Sequence, residues 1–126
     1  MKVHNPGFLA IVDDAKTRVR QMSVDEYKEL VASGEPHLFI DVREDNEWDE
    51  AHPRDATHLS KGIIERDIED VVADKRMKLV LMCGGGYRAS LAADNLHRMG
   101  YSEAVSLDGG WRAWLAAGLP VVSKNT

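Results

Sequence analysis

A chain of 126 residues, 44% of them hydrophobic and 29% charged, has the size and balance of one compact folded domain rather than a disordered segment. Its formal net charge of -5 excludes a global basic field for collecting nucleic acid or anionic lipid, so any anion site has to be local, and no apolar run approaches the roughly 20 residues that span a bilayer. A single cysteine, Cys83, excludes an internal disulfide and a zinc site built on several thiolates.

Met1 to Val12 lacks the charged start, long apolar stretch and small-residue cleavage site of a secretory leader, so a cytoplasmic location is expected. Residues 1–17 carry Pro6, Gly7, Asp13 and Asp14 around the apolar patch Phe8 to Val12. They read as an extended, loosely packed arm ahead of a domain over residues 18–126. Ser23-Val24-Asp25-Glu26 is a capping box, in which hydroxyl and carboxylate each satisfy a free N–H at a helix start. It predicts a helix from Val24 to Ser33 that stops at Gly34.

His37 to Val42 is a short apolar run that suits a buried parallel strand, with Asp41 near its C-terminal end. Glu44 to Ala51 reads as a short acidic helix carrying Trp48, interrupted by Pro53, and Ala56 to Leu59 as a brief strand. Ile64, Ile68, Val71 and Val72 fall on one face of a further helix, opposite Glu65, Arg66, Glu69 and Asp70. Leu79 to Met82 is a second buried strand and delivers Cys83 at its end. Ala89, Ala92, Ala93 and Leu96 stripe the next helix, which stops at Gly100.

Ala104 to Leu107 is a third strand. After Gly109-Gly110 comes a last helix with Trp111, Trp114 and Leu115 on one side, ended by Gly118 and Pro120. Alternation of this kind predicts an α/β domain whose mainly parallel sheet has helices on both faces.

The chemistry concentrates in Leu81-Met82-Cys83-Gly84-Gly85-Gly86-Tyr87-Arg88-Ala89-Ser90, where a buried strand enters a glycine-rich turn and then a helix. A lone cysteine ending an apolar strand is ordinarily packing. Three consecutive glycines argue otherwise, because a plain turn needs one at most, and a run of them lets successive N–H groups turn toward one point. The helix N-terminus and Arg88 add positive potential there, which favours a reactive thiolate and would also hold a persulfide or an incoming anion. Ligands of open α/β sheets bind beyond the carboxyl ends of the strands, where this loop is expected.

Three separated motifs resemble those of a single-domain rhodanese-like sulfurtransferase, over about Met22 to Val122. They are Asp41-Val42-Arg43 followed by Glu44, the loop from Cys83 through Gly86 to Arg88, and Gly109-Gly110-Trp111-Arg112-Ala113-Trp114. The resemblance implies the rhodanese-like fold and a two-step cycle. Cys83, the catalytic residue, takes sulfane sulfur from a small anionic donor such as thiosulfate as a persulfide, then passes it to a thiol or protein acceptor, or to cyanide in vitro. It implies that Gly84, Gly85, Gly86, Tyr87 and Arg88 hold the persulfide, with Arg88 helping to bind the donor, and that Asp41 and Arg43 brace the site. It implies no metal and no cofactor beyond the covalent persulfide; the acidic charge and the lack of a long apolar run lead to an expectation of no nucleic acid or membrane partner.

His52 matches a family histidine, but its surroundings, Ala51-His52-Pro53-Arg54-Asp55-Ala56, depart from the family's Gly-His-Ile-Pro-Gly-Ala, and a packing role is expected. Trp48, Trp111 and Trp114 are expected in the core, and Tyr87 as a wall beside the sulfur. A cysteine-dependent phosphatase or arsenate reductase is the first rival. It generally places five residues between Cys and Arg to surround a tetrahedral oxyanion, where this chain has four. A non-catalytic interaction module is the second, and such modules typically lack the cysteine or the loop charge. With no second cysteine, release of the sulfur requires an external nucleophile, and the thiol is open to overoxidation.

Overall fold

The computed structural model describes residues 3–124. Five parallel strands form the central sheet in the order β1 (Gln21–Met22), β6 (Ala104–Leu107), β5 (Lys78–Met82), β2 (His37–Asp41) and β4 (Thr57–His58). The in-register pairing of β2 with β5 sets Ile40 beside Leu81 and Asp41 beside Met82. Asp41 and Cys83 therefore emerge at the same carboxyl edge of the sheet.

Side-chain alternation along the two central strands divides the core in two. Ile40, Leu79 and Leu81 face one apolar cluster with α4 (Ile64–Val71) and α5 (Tyr87–Arg98), through Ile64, Ile68, Ala92 and Leu96. Phe39, Val80 and Met82 face the other, with Tyr27 and Leu30 of α2 (Val24–Ser33) and Trp114 of α6 (Gly110–Ala116). Both faces are covered, so the strands read as unbroken apolar runs. The expected α/β architecture is the one observed.

α2 starts as its sequence dictates: Ser23 Oγ accepts from the Glu26 N–H at 3.0 Å, Glu26 Oε1 accepts from the Ser23 N–H at 3.0 Å, and Gly34 closes the helix with a φ of 74°. Elsewhere the expectations need correction. Residues 3–17 do not form an extended arm. Pro6–Lys16 is a helix, α1, with Pro6 in the first turn, where a missing N–H is harmless. Val12 and Ala15 are buried, α1 packs on α5, and Arg18 just beyond it makes two 2.8 Å hydrogen bonds to Asp94 of α5. The expected arm's Met1 and Lys2 lie outside the described residues.

Val71 and Leu115 are half exposed, not on buried faces, because α4 and α6 are too short for a broad contact and turn these positions to solvent. A small antiparallel ribbon was not expected: β3 (Ala51–Pro53) pairs with β7 (Val121–Ser123) and ties the C-terminal segment to the end of α3 (Asp45–Glu50). Each of its strands is three residues long, and one contains a proline, so neither carries a strand pattern.

Candidate active site

The site grows from the end of β5. Cys83 is almost fully buried at 1% exposure, and its Sγ accepts hydrogen bonds from the Gly86 N–H at 3.1 Å and the Ala89 N–H at 3.3 Å. Gly86 has a φ of 99°, in the left-handed region where only glycine is unstrained, and this bend points its N–H at the sulfur while starting α5. Its carbonyl accepts from the buried hydroxyls of Ser90 at 2.7 Å and Ser106 at 3.3 Å. Gln21 in turn donates to Ser90 at 3.2 Å. The loop is thus pinned from behind by residues of β1, β6 and α5.

A second wall is laid directly on this loop by the start of α6. The Trp111 N–H donates to the Cys83 carbonyl at 2.7 Å and the Arg112 N–H to the Gly84 carbonyl at 3.3 Å. A Cβ added to Gly110 would stand 2.2 Å from the Cys83 carbonyl oxygen, and Gly110 has a φ of 50°. Both demands are met by glycine alone, which is the physical content of the Gly109-Gly110-Trp111 motif.

Two carboxylate–guanidinium pairs flank the loop. Asp41 and Arg43 are buried: Arg43 Nη2 lies 2.8 Å from Asp41 Oδ2 and 2.7 Å from the Ala51 carbonyl, and the Trp111 ring lies over the guanidinium at 4.5 Å. This pair braces β2 against β3 and forms the floor beneath Trp111. At the mouth, Arg88 donates to both carboxylate oxygens of Glu47, at 2.8 and 3.2 Å. The Arg88 contact holds the Glu47 carboxyl below the usual carboxylate range, while Glu47 first and the Cys83 sulfur second raise the Arg88 pKa against the opposing effect of burial.

A cavity of about 800 Å³ opens above the sulfur, walled by Gly84, Gly85, Tyr87 and Arg88 of the loop, Glu47 of α3 and Trp111 of α6. The N-terminal segment completes it. Tyr87 lies edge-on to the rings of His4 at 4.7 Å and Phe8 at 6.1 Å, with Lys16 Nζ 4.9 Å above its ring. A neighbouring cavity of about 710 Å³ shares Asn46, Glu47 and Trp111 with it and adds Arg43 and Lys124, but is not lined by Cys83.

The structure therefore brings Cys83 and its loop together, sets the Asp41–Arg43 pair under the Trp111 ring outside the cavity, and leaves His52 elsewhere. His52 stacks on Trp48 with ring centres 3.5 Å apart and shares a 2.9 Å hydrogen bond with the Trp48 carbonyl. Trp114 is in the core, as expected. Trp111 and Trp48 are not: Trp111 lines the cavity, because the Gly110 contact holds its helix turn against the loop, and Trp48 is half-buried on α3, stacked with His52 outside both apolar clusters. Sequence reasoning missed Glu47, Arg112, Ser90, Ser106 and the N-terminal aromatic residues, since each reaches the loop only through packing.

Among the described residues, no cluster of three His, Cys, Asp or Glu is arranged to hold a metal ion, and no helix is long and apolar enough to cross a membrane.

Comparison with known proteins agrees with this geometry. Thiosulfate sulfurtransferase GlpE of Vibrio cholerae is 29% identical over 100 residues, covering 79% of this chain and 92% of that protein. YrkF of Bacillus subtilis, named as a sulfur carrier, is 25% identical over 96 residues, which are 76% of this chain and 51% of that one, so this chain spans about half its length. The polysulfide-sulfur transferase homodimer of Wolinella succinogenes superposes with a TM-score of 0.77 at 28% identity, over 92% of this chain and 87% of that one. With residues 23–117 matching the family model described as a rhodanese-like domain, the chain belongs to the rhodanese-like family of sulfurtransferases.

Proposed function

We propose that the protein is a thiosulfate sulfurtransferase of the rhodanese type that works through a Cys83 persulfide. The observation that carries this reading is a buried sulfur facing two backbone N–H groups at the base of an open cavity, the donor set that a sulfur anion needs. The Cys83 thiolate attacks the outer sulfur of the donor. The donor's S–S bond breaks, sulfite leaves with its electron pair, and the transferred sulfur remains as Cys–S–S⁻ within the loop from Gly84 to Arg88.

In the second half-reaction a nucleophile, cyanide or a thiolate, attacks that outer sulfur and Cys83 departs as the thiolate. These two steps balance without a metal or a further cofactor. Because Cys83 is the sole cysteine, the acceptor is external to the chain: a small thiol or a protein thiol. A lone unpaired thiol suits a reducing, cytoplasmic compartment. The relatives named for thiosulfate sulfur transfer and polysulfide sulfur transfer support the same class of donor.

The test is intact mass before and after thiosulfate without reductant, beside Cys83→Ser. A gain of about 32 Da on the native protein alone, reversed by cyanide or thiol, is the expected result. No gain overturns the persulfide reading, and turnover of an aryl phosphate or arsenate instead would assign the phosphatase class.

A further inference from the structure

A small dianionic donor has to leave water for a cavity whose mouth already carries two carboxylates, Glu44 and Glu47. The cations available to receive it are few. Arg43 is buried on Asp41 beneath Trp111, and the Arg88 guanidinium lies across both oxygens of Glu47, which compensates its charge. Lys16 lies over the Tyr87 ring and does not line the cavity.

Arg112 differs from all of these. It lines the same cavity as Cys83, its side chain is exposed, and among the described residues it has no ion pair with an acidic group. Its place is set by the loop itself, since its N–H bonds the Gly84 carbonyl at 3.3 Å and its Nη1 lies 3.9 Å from where a Gly85 Cβ would be. The guanidinium thus stands beside Gly85, in the cavity that Cys83 lines. A larger residue at 85 would fill the intervening space.

We propose that Arg112 is the docking residue for the oxyanion end of the sulfur donor. This inference rests on the persulfide reading and names its substrate class: a small donor with a terminal sulfane sulfur on an –SO₂⁻ or –SO₃⁻-type head, thiosulfate being the simplest. The planar fork of N–H donors matches two oxygens of such a head, and pairing there aims the outer sulfur across Gly84 and Gly85 toward Cys83. Sulfite is released at the same guanidinium, facing solvent.

The experiment measures the rate of Cys83 sulfur loading by rapid quench and intact mass against donor concentration, for the native protein, Arg112→Ala and Arg112→Lys. Thiosulfate and an uncharged organic trisulfide serve as the two donors; the first leaves a Cys83 persulfide as sulfite departs, the second a Cys83–alkyl polysulfide adduct as an alkylthiolate departs, and each product is read by its own mass gain. Loss of the charge-assisted contact is expected to raise the half-saturating thiosulfate concentration about tenfold in Arg112→Ala, with partial recovery in Arg112→Lys and no change with the trisulfide. Equal half-saturation for native and Arg112→Ala overturns the inference, and so does a parallel loss on both donors, which would mean a disturbed loop. A native protein that takes sulfur from neither donor overturns the persulfide reading, and this inference falls with it.

Discussion

Gly84–Gly86 and Gly109–Gly110 meet at the Cys83 carbonyl, one run below the contact and one above. In the first run an added Cβ would meet little: at Gly84 only the tip of Arg88, 3.1 Å away, and at Gly85 only Arg112 Nη1 at 3.9 Å. Those two glycines face open cavity, and only Gly86 is required by its backbone angle. In the second run an added Cβ collides at once, at 2.8 Å with Ala113 Cβ from Gly109 and at 2.2 Å with the Cys83 carbonyl oxygen from Gly110. One run leaves the backbone bare toward the cavity, the other lets two backbones touch.

The comparison breaks most sharply at Gly110. Gly110→Ala places a methyl group inside a carbonyl contact that neither backbone can yield. It is expected to destabilise the fold by about 3 kcal/mol or more and to abolish sulfur loading. Urea unfolding and intact mass check both, and stability within about 0.5 kcal/mol of the native protein would show that the two segments separate freely.

A middle-sized effect is expected at Glu47, which anchors the far end of the lower run through Arg88. Its folded pKa is depressed, so the pair's contribution is fully present above the ordinary glutamate range and is lost as pH falls through the folded value. Loading by thiosulfate should therefore fall on the acid side with one protonation, and Glu47→Gln should remove that acid limb. Being about a third exposed, the pair contributes little to global stability, about 1 kcal/mol at most. An unchanged acid limb in Glu47→Gln would assign the titration to another group.

The smallest effect is expected at Gly85→Ala. The added methyl enters open space at an ordinary backbone angle, so the unfolding midpoint should be unchanged within error. A large stability loss there would erase the distinction between the two runs, whereas slower thiosulfate loading at full stability would show that the donor crosses this glycine.

What the sequence shows of this protein follows the range of the interactions involved. The Ser23 capping box closes within one helical turn and is legible residue by residue. The strands ending in Asp41 and Met82 are legible because burial on both faces leaves an unbroken apolar run. α1 is not, although Phe8, Val12 and Ala15 stand at helical spacing, because the exposed Ile11 blurs the face and the partner that buries it, α5, lies far along the chain.

The candidate site divides the same way. Cys83, the glycine run and Arg88 are contiguous, so the loop that surrounds the sulfur is legible in the chain alone. That Glu47 occupies Arg88, that Trp111 forms a wall instead of filling the core, and that Arg112 reaches Gly85 with no ion pair among the described residues is decided only when segments distant in sequence pack together. By itself the sequence determines local backbone geometry and which residues avoid water. The tertiary structure decides which charges meet, because electrostatic pairing acts through space and leaves no periodic trace along the chain.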